Sequence, residues 1–225
     1  MTILQVQVQD NDNLWRIQKL YSFDEAAQLS GVSANTVRNW TLQYGEDERV
    51  ISPLFDPWLK VSFLQLIEVV VAARFQKATH KSFEAVRDAY RNTRKLLYLD
   101  FPFAHSQLDV LGGHVMAYLR GQIAMQVVDK SKQRMIPSLV WETIHQLDYE
   151  EDLAARWYPV GKSVPIVVDP RVSAGLPIVL GRGITVQRVH ERFMVGQTVE
   201  FIAKDFDLAK HVVEEVLRYA IKVGV

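Results

Sequence analysis

The chain has 225 residues, and its 26 Lys and Arg side chains balance 26 Asp and Glu side chains. The absence of cysteine excludes disulfides, thiolate metal sites and a cysteine nucleophile. The length allows two modest domains with real cores, and the neutral total charge provides no global basic field to attract nucleic acid.

Neither the start of the chain nor its most apolar stretch is typical of a secreted or membrane protein. Residues 1–13 alternate polar and apolar side chains without the positive start and apolar centre of a signal peptide, and we predict a polar arm or edge strand there. Residues 61–73 are the most apolar, but they contain Gln65 and Glu68 and are too short to span a bilayer. We therefore expect a soluble, cytoplasmic protein without a membrane partner.

A helix-turn-helix is predicted between residues 22 and 44. Ser22 is a good cap for the first helix, Gly31 ends that helix, and Ser33 caps the second. The motif needs a small residue where the helices cross, then a residue tolerant of positive φ, then apolar anchors at set distances. These positions are filled by Ala27, Gly31, Val32, Val37 and Trp40.

The outward face of the second helix carries the candidate DNA-reading residues. Arg and Asn side chains make bidentate contacts with guanine and adenine edges in the major groove. The candidates are Ser33, Asn35, Thr36, Arg38, Asn39 and Gln43. The acidic run at residues 46–48 speaks against phosphate contact, so an element of a structural helical bundle is the alternative interpretation.

Two further helices are predicted in the N-terminal half. Residues 59–79 are apolar almost all round, which is typical of a buried core helix. Residues 82–97 form a helix capped by Ser82, with Phe83, Val86 and Tyr90 inward. Its other face carries a basic stripe that could contact phosphates or an acidic protein, or simply be solvated: Arg87, Arg91, Arg94 and Lys95.

This order of elements resembles the MerR-like winged helix-turn-helix. The resemblance covers about residues 20–97, and its most specific part is residues 21–40 with the ending Arg38-Asn39-Trp40. It implies a winged helix-turn-helix fold that contacts operator DNA. The segment in the place of the wing, residues 45–55, is acidic where the family's wing is usually basic.

The middle of the chain is predicted to be a small β-rich region. Short apolar or alternating pieces at 98–101, 110–111, 114–119 and 123–128 favour an antiparallel sheet or a set of hairpins. A helix over 137–147, a strand over 153–160 and a linker at 161–163 follow. The residue types assign no task to this region, which is either a scaffold or a partner surface.

The C-terminal module begins with a strand at 166–168 and an irregular turn at 171–183. Thr185 caps a helix whose predicted apolar face is Val186, Val189, Phe193 and Met194. The helix-turn-helix template then fits a second time, with helices at 198–205 and 209–220. Its anchors are Ala203, Leu208, Val213 and Val216, and Asp207, which tolerates the left-handed conformation, replaces the turn glycine.

The outward face of the last helix mixes both signs of charge. Glu214 and Glu215 lie among the cations Lys210, His211 and Arg218. Two carboxylates disfavour contact with phosphates, so we expect this face to contact a protein partner rather than DNA.

The motifs Ile166-Val167-Val168-Asp169-Pro170, Gly175-Leu176-Pro177-Ile178 and Gly181-Arg182-Gly183-Ile184 precede an amphipathic helix and Ala203-Lys204-Asp205-Phe206-Asp207-Leu208. Together they resemble domain of unknown function 433, a small three-helical family with a leading strand. With the MerR-like half, the whole chain is similar to VapB-like antitoxins of that domain family. The resemblance implies a homodimer that binds a PIN-like ribonuclease toxin and represses its own operator DNA.

The expected fold class is therefore α+β, mainly α, with a MerR-like domain at 1–97, a β-rich connection at 98–163 and the DUF433 domain at 164–225. The six histidines fall in no metal-ligand pattern and no serine lies in a nucleophile elbow, so we expect a binding protein without cofactors rather than an enzyme. Two alternatives stay open: a MerR-like regulator that responds to a small ligand, and an adaptor that binds only proteins.

Overall fold

A computed structural model of the chain describes residues 13–41, 60–106, 108 and 137–224. The chain divides into two compact units. The first comprises Met1–His145 with Tyr149–Ala154, and the second comprises Gln146–Asp148 with Ala155–Val225. Within the described residues, helices dominate and the sheets are small, so the predicted α+β, mainly α class is confirmed.

The first unit is a helical assembly around one buried helix, α4. Its elements are α1 (Leu14–Ile17), β1 (Lys19–Tyr21), α2 (Phe23–Ser30), α3 (Ala34–Thr41), β2 (Val61–Ser62), α4 (Phe63–Thr79), α5 (Phe83–Leu97), a 3-10 turn (Pro102–Ala104) and α6 (Ser138–His145). Strands β1 and β2 pair antiparallel, with Tyr21 opposite Val61. Helix α4 contacts α2, α3, α5 and α6, which accounts for its apolar surface all round.

The buried helix starts later than its apolar composition predicted. It begins at Phe63 and not at residue 59, because Ser62 forms a capping box with Gln65. The backbone N–H of Gln65 donates to the Ser62 hydroxyl at 3.3 Å, and the backbone N–H of Ser62 donates to the side-chain Oε1 of Gln65 at 2.9 Å. Val61 and Ser62 belong instead to strand β2.

A carboxylate is buried in the middle of α4. Glu68 is 0% exposed and accepts a hydrogen bond from the Tyr90 hydroxyl at 2.9 Å. The backbone N–H of Phe103 also donates to it, at 3.4 Å. Since a buried carboxylate requires donors, Glu68 ties α4 to α5 and to the 3-10 turn.

The middle of the chain differs from the predicted sheet. Tyr98 ends α5 in the left-handed conformation (φ 54°), and the 3-10 turn follows, so residues 98–101 are not a strand. The predicted pieces at 110–111, 114–119 and 123–128 lie outside the described residues. Helix α6 and a strand at 153–157 were predicted correctly in kind.

A hairpin that the sequence interpretation missed lies between α6 and the second unit. Helix α6 ends at His145 rather than 147, and β3 (Leu147–Glu150) then pairs with β4 (Leu153–Trp157). Glu151 and Asp152 form the two-residue turn with φ of 50° and 64°. The division between the two units runs through this hairpin.

The second unit is a three-stranded sheet followed by three helices. Its elements are β5 (Ile166–Val167), β6 (Ile178–Val179), β7 (Ile184–Thr185), α7 (Val186–Met194), α8 (Val199–Asp205) and α9 (Lys210–Val223). The strands are antiparallel in the order β5-β6-β7. Strand β6 replaces part of the predicted irregular turn at 171–183, and β7 follows directly after that turn. The sequence did not predict these strands because two residues are too few to show an alternating pattern.

The helices of the second unit bury one continuous apolar core. Val189 on α7, Ile202 on α8, and Val213 and Val216 on α9 are each 0% exposed. The predicted apolar face of α7 is wrong at its end, because Phe193 and Met194 are 41% and 68% exposed. These two side chains therefore lie outside the apolar core that the three helices bury.

No helix among the described residues combines the length and the apolar character that a bilayer span requires.

Candidate nucleic-acid and partner interfaces

Helices α2 and α3 match the predicted helix-turn-helix template in their bounds, and the caps that the structure describes are in place. Ser22 and Glu25 form a capping box at the start of α2. Gly31 adopts φ 77° at the turn, and its N–H donates to the Ala27 carbonyl at 2.9 Å. The Ser33 hydroxyl accepts from the Thr36 N–H at 3.0 Å and so caps α3, as the sequence predicts.

The inward side of α3 is held by an aromatic stack. Val37 is 0% exposed, and Trp40 is 4% exposed with its ring stacked on Phe83 of α5 at 4.4 Å between centroids. Ala26 is fully buried at the helix pair, whereas Ala27, the predicted crossing residue, is half-buried. The stack fixes how α3 presents its other face.

The structure places most of the predicted reading residues on one exposed face. Ser33, Asn35, Arg38 and Asn39 are exposed, while Thr36 is half-buried with its hydroxyl 2.8 Å from that of Ser33. Gln43 lies outside the described residues. Ser33 and Thr36 act first as capping residues, which leaves Asn35, Arg38 and Asn39 with the freest side chains on this face.

Arg38 is exposed and lies against an aromatic ring. Its guanidinium lies 5.3 Å from the centroid of the Phe23 ring, a cation–π distance. Among the described residues no carboxylate forms an ion pair with it. Phe23, at the first position of α2, was not singled out from the sequence, and its place beside Arg38 follows only from the angle between the two helices.

The basic stripe of α5 is partly compensated. Arg87 and Arg91 both lie near Asp88, at 3.1 and 4.0 Å, and Arg94 lies 3.1 Å from Asp100. Lys95 is exposed. The stripe thus combines four cations with two carboxylates, which weakens it as a surface for phosphates.

Helices α8 and α9 form the second helix-turn-helix. The Thr198 hydroxyl caps α8 by accepting from the Phe201 N–H at 3.2 Å. Asp207 adopts φ 51° in the turn, so the prediction that an aspartate can replace the glycine is confirmed. Its carboxylate also lies 2.6 Å from the guanidinium of Arg182 in the β6–β7 loop.

The exposed face of α9 is neutralised within the chain. Lys210 pairs with Glu200 at 3.0 Å. Arg218 contacts both Glu215 and Glu214. His211 is exposed. Of the α9 residues predicted as phosphate or partner contacts, Lys210 and Arg218 are therefore paired with carboxylates, and His211 is the exception. Arg38 differs, because no described carboxylate forms an ion pair with it.

A buried carboxylate that the sequence interpretation passed over organises the start of the second unit. Asp169 is 5% exposed and accepts from the Arg156 side chain at 2.8 Å. Arg171 donates to it from its backbone N–H at 3.0 Å and from its guanidinium at 2.9 and 3.1 Å. Burial acts to raise the pKa of Asp169, but the donors from Arg171 and Arg156 lower it overall. The Asp169-Pro170 pair after an apolar run is the only sequence signal for this clamp.

The acidic turn of the β3–β4 hairpin is exposed, and two contacts anchor it. The Arg16 guanidinium donates to the Glu150 carbonyl at 2.8 Å. The Ser106 hydroxyl donates to Asp152 at 2.6 Å. Burial lowers the pKa of the adjacent His105, although the Asp152 carboxylate acts in the opposite direction.

The described residues contain no cluster of three or more His, Asp and Glu side chains that could hold a metal ion.

Comparison with known proteins identifies the second unit. Residues 166–220 match the family described as protein of unknown function (DUF433). A search of curated proteins finds no match. Rv2018 from Mycobacterium tuberculosis has a similar solved structure, with a TM-score of 0.71 and 21% sequence identity, covering 90% of this chain and 97% of that chain. The chain thus contains a DUF433 domain and shares its fold with Rv2018.

Proposed function

We propose that this protein is a VapB-like antitoxin. It binds and neutralises a PIN-like ribonuclease toxin and, as a cytoplasmic homodimer, binds operator DNA through a MerR-like helix-turn-helix to repress its own operon. The single observation that carries the DNA-binding half is the exposed face of α3, where Arg38 lies without an ion-pair partner among the described residues beside Asn35 and Asn39.

The chemistry of this face suits the major groove. An arginine presents a planar fork that matches the O6 and N7 of guanine, and an asparagine matches the N6 and N7 of adenine. Since no carboxylate among the described residues forms an ion pair with Arg38, we take its charge to be available for DNA. A two-fold dimer would place two such helices one turn of DNA apart, so that total charge neutrality is no obstacle.

The antitoxin half rests on the combination of domains. A DUF433 domain follows a DNA-binding half in the same chain, and the α9 face, with its charges paired within the chain, suits a protein better than a nucleic acid. This division assigns operator DNA to the first unit and the toxin to the second.

A gel shift with the promoter upstream of the gene tests operator binding. Arg38→Ala should weaken binding by about 1–3 kcal/mol, roughly 5- to 150-fold, and the wild-type affinity should fall steeply with salt. Arg218→Ala is the matched control, because it removes an arginine from the equivalent helix of the second unit. Equal shifts for wild type and Arg38→Ala would show that α3 does not read DNA.

Co-expression with the adjacent open reading frame tests the antitoxin assignment. We expect the two products to purify as a complex, and growth that the adjacent product arrests to be restored by this chain. If the chain neither binds the adjacent product nor rescues growth, the protein is not its antitoxin, whatever the gel shift shows.

A further inference from the structure

Four large apolar side chains are exposed together where α7 turns into α8. Phe193, Met194 and Val195 at the end of α7 are 41%, 68% and 77% exposed, and Phe201 on α8 is 54% exposed. The Arg192 guanidinium lies 5.7 Å from the centroid of the Phe201 ring, so the last turn of α7 reaches the Phe201 position. We name these four side chains the elbow patch.

The elbow patch is large for a surface without a partner. An aromatic side chain buries about 150–250 Å² when it is covered, so the exposed fractions leave on the order of 400 Å² of apolar surface. A standard interface buries about 800 Å² on each partner. The elbow patch alone therefore supplies about half of the area that one side of a stable dimer needs.

The two helices that carry the elbow patch, α7 and α8, have charged side chains of both signs in equal number. They are Arg188, Glu191, Arg192, Glu200, Lys204 and Asp205. Arg188 and Lys204 form no ion pair with any described residue. Glu191 accepts only from the amide of Gln187, at 2.8 Å, and Glu200 contacts Lys210 through two side chains that are 61% and 62% exposed.

This distribution discriminates between possible occupants. Where the rim of a two-fold interface is charged, it is complementary to its own copy only if it carries both signs, since each residue contacts the symmetry-related surface. An acidic protein or a nucleic acid would instead be matched by an excess of positive charge. Arg192, the cation nearest to Phe201, contributes no such excess because Asp205 pairs with it.

We infer that the elbow patch is the surface through which two copies of this chain associate. The inference rests on the dimer of the proposed function and assigns it to α7 and α8 of the DUF433 domain. The apolar side chains form the centre of the interface, and the cations of one copy meet the carboxylates of the other at its rim.

Sedimentation of the full chain tests the inference. The double variant Met194→Asp with Phe201→Ser should raise the dimer dissociation constant at least tenfold. Ile221→Ser is the matched control, because Ile221 is a 72% exposed apolar residue on α9 outside the elbow patch. All the substituted side chains are exposed, and circular dichroism checks that the variants stay folded.

Charge inversion provides a second test that does not remove apolar surface. Arg188→Glu with Lys204→Glu should weaken the dimer, and adding Glu191→Lys and Glu200→Lys should restore it, because both copies then carry the inverted pattern. Since the chain has no cysteine, Val195→Cys should also cross-link two copies with a short bismaleimide, whereas Ile221→Cys should not.

Each outcome decides the inference separately from the proposed function. A monomeric wild type, or patch variants that dimerise as tightly as wild type, would overturn the inference even if the chain binds its operator and a toxin. Loss of the dimer in the patch variants alone would support it, even if no DNA and no adjacent gene product is bound.

Discussion

The two helix-turn-helix units share one template but differ in how their exposed charges are compensated. Val37 and Trp40 in the first and Val213 and Val216 in the second are buried at equivalent positions. On the outer faces, Arg38 lies against an aromatic ring, whereas Arg218 is paired with carboxylates. The template therefore specifies the packing of the helices, while the neighbours of each arginine determine what that arginine can bind.

The two units also hold their helices by different interactions, so that one substitution in each unit can test the difference. The first relies on the stack of Trp40 on Phe83. Trp40→Ala should lower the free energy of unfolding of the first unit by about 3–5 kcal/mol, because it leaves a large cavity under α3. Hydrogen exchange of the α3 amides would measure it.

Trp141→Ala is the matched control for this substitution. Trp141 is 43% exposed on α6 and should cost less than about 1 kcal/mol. If both tryptophan variants lose the same stability, the stack does not position α3, and the explanation of how its outer face is oriented fails.

The second unit relies on the Asp169 clamp. Asp169→Asn should lower the free energy of unfolding of that unit by about 2–3 kcal/mol, because the neutral amide cannot accept from both arginines as the carboxylate does. Both arginines are partly exposed, so water offsets some of the loss. Chemical denaturation monitored by exchange of the α9 amides measures the effect, and a loss below about 0.5 kcal/mol, as expected for exposed Glu214→Gln, would contradict it.

The turns within the two helix pairs provide a further test of how the units differ. Gly31 and Asp207 both adopt positive φ, at 77° and 51°. Gly31→Ala should destabilise the first unit by about 1–2 kcal/mol from backbone strain alone, since the added Cβ meets no atom within 4 Å. Asp207→Gly should change the second unit by less than about 1 kcal/mol, because relief of strain offsets the lost contact with Arg182. Thermal unfolding of both variants measures the difference. If both substitutions destabilise their units equally, removing the side chain at Asp207 relieves no strain, and the two turns are not equivalent in strain.

The sequence predicted what depends on local patterns. The helix caps are local signals, and the helices that follow four of them were predicted almost to the residue. These caps are Ser22, Ser82, Thr185 and Thr198. The clearest error was Phe193 and Met194, whose helical spacing matched a core face although both side chains are exposed.

What the sequence did not predict depends on distant pairing. Strands β6 and β7 consist of two residues each, too few for a period, and they exist because each pairs with a neighbour. The face of α3 was predicted from helical spacing, but the contact of Arg38 with Phe23 depends on the crossing of two helices. Compensation of Arg218 by carboxylates three and four residues away was visible in the sequence, and the structure contains both ion pairs.

Mild acid should separate the two units by stability. Burial lowers the folded-state pKa of His105 in the first unit, so the unfolded state binds more protons below about pH 6.5 and stability falls there, by at most about 1.4 kcal/mol per pH unit. The pKa of Asp169 in the second unit is also lowered, but for a carboxylate the stabilisation persists until the pH falls below about 3.9. Between pH 6.5 and 4.5 only the first unit should lose protection from exchange, and His105→Asn should remove that dependence while His211→Asn, at an exposed position, should not. If both units lose protection from exchange in parallel across this range, another group in the second unit titrates. The difference in acid stability between the units is then not set by His105 and Asp169.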